Sequence, residues 1–379
     1  MACLARLDDM ADPHRRHLLH IFSTFAVGGP EVRLSNIMNR FGNKYRHTIA
    51  AMDGRYSCKS RLADGLDIQF LSLPSRKAGL LRNVAHNYAI LRDLRPDLLL
   101  TYNWGAIEWA FTNCLHQFCR QIHFESGFGP EEAEKQILRR VVFRRIALAR
   151  AARIVVPSRQ LEELAVKVWK FPPEQILFIA NGIDCAKFER APSPAVIPGF
   201  NKVPGELIVG TLAPLRAVKN IRRLILAFAC LAAEFNARLL IVGDGPERAD
   251  LASLAAQQGL ADRVVFAGHV DTPEAVLGLF DVFAISSDTE QMPNSLLQAL
   301  AAGRPVAGMD VGDVRLMVAP ENRGFIAPKG NESRFRDALK QLLSEPETRR
   351  RLGEANQAHV RVNHSEENMF PAYGALFDG

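Results

Sequence analysis

Two short segments of this 379-residue chain pair charged residues with glycine or proline in patterns suited to holding an anion. In Ser286-Ser-Asp-Thr-Glu290-Gln291-Met292-Pro293-Asn294, a strand-like apolar run ends at Ser286, and a carboxylate and a proline open the turn. Asn294 to Ala302 then reads as a helix closed by Gly303. A helix N-terminus at the carboxyl end of a strand offers unpaired amides to an anion. In Ile208-Val-Gly210-Thr-Leu-Ala-Pro214-Leu-Arg216-Ala-Val-Lys219-Asn220, a strand and a glycine turn lead into a basic loop that opens a helix at Ile221. Gly243-Asp-Gly245-Pro246-Glu247 follows the run Leu239–Val242. Glycine there permits close backbone approach at a sheet edge, although the third glycine of a dinucleotide fingerprint is missing. In the first half, Gly28-Gly29 and Ile122-His123-Phe-Glu125-Ser126-Gly127 stand at comparable strand ends. No Asp-x-Asp pair is present to hold a divalent cation against a diphosphate. The six cysteines form no CxxC pair and read as reduced thiols with no metal role.

Placing these residues requires strand ends along one sheet edge, and the apolar runs supply them. His17–Phe22, His47–Met52, Ile68–Leu73, Asp97–Tyr102, Gln121–Phe124, Ile154–Pro157 and Ile176–Ile179 alternate with helical patterns, which means a parallel sheet covered by helices. From Ala191 to Pro204 the composition shifts to Pro, Ser and Gly, as in a linker. A second series follows at Leu207–Gly210, Arg238–Val242, Val264–Ala267, Val282–Ile285 and Pro305–Ala307. The expected architecture is two doubly wound α/β, Rossmann-like domains facing a central cleft: residues 1–195 and residues 196–362. A closing helix over 363–379 is expected to pack back across the lobes.

Composition excludes other classes. Hydrophobic residues make up 48% and charged residues 23%, which is ordinary for a globular chain. No apolar run approaches the ~20 residues of a membrane span. Asp8, Asp9 and Asp12 stand where a secretory leader would be apolar, so a cytoplasmic location is expected. The net charge of +6 suits phosphate-bearing ligands or an anionic membrane surface, and no nucleic-acid-binding module accompanies it. Residues 135–153 carry Lys135, Arg139, Arg140, Arg144, Arg145, Arg150 and Arg153 without an acid, interleaved with apolar residues. The reading is a basic amphipathic helix that rests on anionic lipid at the inner face of the cytoplasmic membrane, or else a scaffold helix with a solvated basic face.

The segment around Glu290 resembles the donor-binding signature of the retaining family 4 glycosyltransferases of the GT-B fold, in which Glu-Gly-x-Pro opens a helix bearing a second Glu. Glu290 and Pro293 match, and Gln298 stands at the second Glu. The resemblance spans about Leu18 to Phe377, with Asn181-Gly182-Ile183-Asp184 similar to the interlobe Asn-Gly-Val-Asp motif. It implies a hexosyltransferase that uses a UDP- or GDP-linked sugar as co-substrate, with no other cofactor and no metal. The acceptor is a glycan or lipid-linked molecule in cell-surface polysaccharide or glycolipid synthesis.

By the same resemblance Glu290 holds a sugar hydroxyl, and the amides of Gln291 and Met292, with Asn294 following Pro293, face the diphosphate and sugar. Gln298 meets a ribose hydroxyl. Lys219 flanks the leaving group, with Arg216 either substituting from a shifted loop for the family Arg, whose place Pro214 takes, or leaving the clamp single-handed. Gly28, Gly29, Gly243, Gly245, Pro246, His269 and Val270 line the donor, His269 being equally a loop histidine. The family's sugar-contacting His corresponds to His123, with Glu125 and Ser126 as the other candidates. Pro214, Gln298 and Ser126 motivate a rival reading: a nucleotide-sugar-binding subunit, weak or inactive, of an active partner. An epimerase on the same fold would need more acid/base groups than His123 and Glu125.

Overall fold

The computed structural model describes residues 15–73, 79–128, 130–132 and 135–379, so Cys3, Asp8, Asp9 and Asp12 lie outside the described residues. Two compact units result. The first comprises residues up to Val156, Leu161–Ile179 and Tyr373–Gly379, and the second comprises Pro157–Gln160 and Ala180–Ala372.

The first unit is a seven-stranded parallel sheet of β1 (His17–Phe22), β2 (Arg46–Ala51), β3 (Ile68–Leu71), β4 (Leu98–Tyr102), β5 (Arg120–Phe124), β6 (Arg153–Val156) and β7 (Ile176–Phe178), in the order 3-2-1-4-5-6-7. All six residues of β1 are buried, as a central strand covered on both faces requires. The order reverses between β1 and β4, so the loops leaving those strands diverge and leave a crevice at their carboxyl ends.

The second unit repeats the plan with β8 (Leu207–Leu212), β9 (Ala237–Val242), β10 (Val264–Gly268), β11 (Val282–Ile285), β12 (Val306–Asp310) and β13 (Ile326–Pro328), ordered 10-9-8-11-12-13. Its reversal lies between β8 and β11, which pair Val209 with Val282 and Gly210 with Phe283. Here the chain shows one strand more than expected. β13 is only Ile326-Ala-Pro328, too short for its sequence to show a strand period, and it pairs with β12 at the sheet's edge.

Two further differences from expectation have simple causes. Ala191–Pro204 belongs to the second unit rather than to a linker, because Ile197 and Phe200 are buried in that unit's core. The basic helix is short, Leu138–Ala147, and two of its arginines face inward. Arg144 is fully buried, and Arg140 pairs with Glu131 and Glu132, which precede the helix. The final helix, Glu366–Asp378, accommodates Pro371 and belongs to both units, with its residues from Tyr373 onward in the first. There Tyr373 stacks on Phe124, and Phe377 meets Tyr45 edge-on.

Candidate functional site

Because β8 and β11 are parallel neighbours at the reversal, the loops leaving them meet at one end of the second unit's sheet. The β8 loop runs through Pro214 and Arg216, both exposed, to a 3₁₀ turn at Ala217–Lys219 and then to the helix Ile221–Ala229. The β11 loop carries Ser286 to Pro293 into the helix Asn294–Ala301. Lys219 Nζ lies 2.5 Å from Glu290 Oε1, and Ser287 Oγ donates to the same oxygen at 2.6 Å. Both side chains are mostly buried, with Lys219 20% and Glu290 10% exposed. The two residues singled out from separate segments therefore share one site.

The glycine motif after β9 works on backbone rather than on charge. Gly243 sits at φ +134, and a Cβ there would lie 1.9 Å from the Ala213 carbonyl oxygen. A Cβ on Gly245 would lie 2.4 Å from that of Leu215. These glycines let the β9 loop press against the β8 loop, where Leu215 N–H donates to Asp244 O at 2.9 Å. Pro246 continues that turn. His269 is exposed, 3.3 Å from Asp271, whereas Val270 packs on the unit's core.

The helix start that carries Pro293 is held from two sides. Asn181 donates through Nδ2 to the Met292 carbonyl at 3.2 Å and to Asn294 Oδ1 at 3.0 Å, so the Asn-Gly turn supports the helix entry. On the other side Gly312, at φ +57, passes so close under the loop that a Cβ would meet the Glu290 carbonyl oxygen at 2.4 Å, and Asp313 N–H donates to Gln291 O at 2.9 Å. Gln291 accepts from Ser158 Oγ at 3.0 Å. Gln298 is half-buried within the helix. Sequence reasoning missed Gly312 and Asp313; the glycine directly after a strand, in Asp310-Val-Gly-Asp313, was the available signal.

In the first unit, Gly28 begins the helix Gly29–Phe41. The side chain of Glu31 folds back so closely that a Cβ on Gly28 would lie 2.5 Å from Glu31 Oε2. Burial pushes the Glu31 carboxyl up to about 7. It too escaped the sequence reading, although an acid in the first turn after a glycine pair is a visible cue. His123 on β5 is fully buried, with Nδ1 bonded to Thr101 Oγ1 at 2.9 Å and Nε2 facing Glu125 Oε2 at 3.7 Å. Glu125 is equally buried and meets Arg144 Nε at 3.4 Å. Ser126 alone of the three candidates is partly exposed. It accepts from Arg33 at 3.0 Å, and its N–H donates to Asn103 Oδ1 at 2.7 Å.

Residues 195–359 match the family described as Glycosyl transferases group 1, and residues 27–187 match Glycosyltransferase Family 4. The two matched segments fall one in each half of the chain. Among curated relatives it is similar to N-acetyl-alpha-D-glucosaminyl L-malate synthase of Bacillus anthracis, 27% identical over 206 residues, 54% of each chain. It is also similar to D-inositol 3-phosphate glycosyltransferase of Nocardia farcinica, 26% identical over 338 residues, 82% of this chain and 73% of that one. It spans about half the length of the malate synthase and of several other curated relatives in these matches. The Anabaena HepE protein in complex with UDP and glucose superposes with a TM-score of 0.80 at 16% identity, covering 96% of this chain and all of that one, which establishes the GT-B fold. Among the described residues no helix is long and apolar enough to cross a membrane, and no cluster of three or more His, Cys, Asp or Glu could hold a metal ion.

Proposed function

We propose that the protein is a hexosyltransferase that moves a sugar from a UDP- or GDP-linked donor, with retention and without a metal ion, to a glycan or lipid-linked acceptor in cell-surface polysaccharide or glycolipid synthesis. The observation that carries this reading is the meeting of Lys219 and Glu290 where β8 and β11 end. As the bond between sugar and diphosphate breaks, negative charge grows on the departing oxygen. The Lys219 ammonium and the helix amides after Pro293 stand ready to offset that charge. Glu290 accepts from sugar hydroxyls, and Gln298 from the ribose. Gly28, Gly29, Arg216, Gly243, Gly245, Pro246, His269 and Val270 complete the donor-lining set, and His123 is its candidate on the first unit. The relatives' named sugar transfers, and the UDP and glucose held by HepE, support the same chemistry.

The test is release of nucleoside diphosphate from UDP-glucose and GDP-mannose in EDTA, with and without a panel of glycan and lipid-linked acceptors. Metal-free turnover that Lys219→Ala abolishes is the expected result, and NMR of the product anomer reads retention. No binding and no turnover would refute the assignment. Tight donor binding without turnover across the panel would favour the second reading, a nucleotide-sugar-binding subunit of an active partner. Pro214, Gln298 and Ser126 at polar site positions motivate that reading.

The same reading places the protein on the cytoplasmic face of an anionic membrane. Leu138, Val142 and Ile146 form an exposed stripe one turn apart on the basic helix, flanked by exposed Arg139, Arg145 and Arg150 and by Leu115 of the preceding helix. Apolar side chains rimmed by arginine suit a lipid headgroup layer.

A further inference from the structure

The lysine turn is fastened by Ser286, Asp288, Asn220 and Arg223. Ser286 Oγ donates to the Lys219 carbonyl at 3.0 Å, and the Asp288 N–H donates to the Val218 carbonyl at 2.9 Å. The Asp288 carboxylate accepts from Asn220 Nδ2 at 3.1 Å and lies 2.8 Å from Arg223 Nη1. Asn220 is a left-handed residue at φ +43. Its Oδ1 accepts from Arg223 N–H at 3.1 Å, so both ends of its amide are spent on holding the turn. Arg223 is 10% exposed and also donates to the Ser286 carbonyl at 2.6 Å.

We propose that Asp288 is a positioning residue: by gripping Asn220 and Arg223 it fixes the Lys219 turn onto the Ser286–Glu290 loop, so that the ammonium meets the donor's diphosphate at one place. This rests on the reading of Lys219 and Glu290 as donor ligands. A lysine is a point charge on a flexible stem, whereas an arginine fork orients itself on a phosphate. With Pro214 and not a cation earlier in the loop, placement of Lys219 rests on its ion pair with Glu290 and on how its backbone is held. The first half of that loop is tied to the β9 turn at Leu215, and Val218 to Asn220 are tied through Ser286 and Asp288. Removing the Asp288 carboxylate leaves Arg223 with the Ser286 carbonyl and with Glu332 Oε1 at 3.0 Å, so the cation is not stranded and the unit is expected to fold.

The experiment is a double-mutant cycle on the full chain, with UDP-glucose and GDP-mannose as probes, reading donor Kd, the rate of diphosphate release and the melting midpoint. Asp288→Ala is expected to slow release, or to weaken binding if turnover is absent, by about tenfold, because small displacements of a charged group cost that much or more. The midpoint should barely move. Asp288→Asn, which keeps an acceptor oxygen, should recover most of the loss. In a Lys219→Ala background, where turnover is absent and donor Kd is the readout, the same Asp288→Ala change should do almost nothing to Kd, since its effect passes through the lysine. Asn220→Gly keeps the left-handed backbone and removes the link to Asp288. It should reproduce the loss and decides the matter if Asp288→Ala does not fold. Equal losses in both backgrounds, or none in either, would overturn the proposal while leaving the donor reading intact. Failure of wild type to bind either probe would instead remove the donor reading, and this proposal with it.

Discussion

On the proposed reading, a neutral amide at position 298 and a proline at position 214 leave Lys219 and Glu290, with Arg216 as the further candidate, to do what four charged side chains do in the family the sequence resembles. A carboxylate accepts a hydroxyl's hydrogen bond more strongly than an amide by roughly 1 kcal/mol. Gln298→Glu is therefore expected to tighten donor binding about fivefold, measured by calorimetry with the better probe. Unchanged affinity would mean that the half-buried residue 298 does not reach the ribose. Lys219 and Glu290 were legible because each combines a charge with a glycine or proline that marks a strand end. Asp288, Gly312 and Glu31 were harder to find because their roles depend on what folds against them. The Asp288 carboxylate is bonded to side chains 65 and 68 positions earlier, a pairing that no local pattern announces.

At the scale of elements, the helix Leu138–Ala147 shows where composition misleads. Its seven-residue basic tally over 135–153 suggests one solvated face, yet two of those residues do different work. The Arg144 guanidinium lies 4.4 Å from the Trp169 ring centre and 5.1 Å from that of Trp104, with Glu125 and Glu132 as its ion partners. Arg140 is held by Glu131 and Glu132. Removing one member of a buried pair strands the others, so Arg144→Ala should destabilise the first unit by about 3–5 kcal/mol, read by denaturant unfolding. Charge reversal at exposed Arg139, Arg145 and Arg150 should leave unfolding unchanged and release the protein from vesicles containing phosphatidylglycerol. Persistent vesicle binding by that triple variant would remove the membrane reading. Strand positions, by contrast, were plain: each long apolar run became a strand, and only β13, an edge strand ending in Pro328, was not expected.

For the whole molecule, the doubly wound plan was readable twice over, since buried parallel strands need unbroken apolar runs and these punctuate both halves. The runs also conceal polar groups, and these set how the chain responds to acid. His17 and His20 on β1 and His47 on β2 are buried, with His20 Nε2 3.0 Å from His47 Nδ1 and its Nδ1 3.0 Å from the Tyr102 hydroxyl. Burial pushes His17 down to about 4 and His47 to about 3, His20 is lowered for the same reason, and in the second unit burial takes His364 to about 4. These rings fold neutral, and the unfolded chain takes up protons near pH 6.5. Each therefore contributes stability that is full above that value and lost as pH falls toward its folded pKa, by up to about 1.4 kcal/mol per pH unit. Glu31 opposes them. Its raised pKa costs stability as pH climbs from 4.5 to about 7, so acidification returns some. His359 is lowered by burial as well, and five histidines against one raised carboxyl fix the sign: the melting midpoint should fall steadily from pH 7 to pH 5 in scanning calorimetry. In a His47→Gln variant, whose side chain carries no charge in either state, the slope should be shallower. A midpoint flat or rising toward pH 5 would show that the histidine chain is charged in the folded protein, with a carboxylate or water network compensating it.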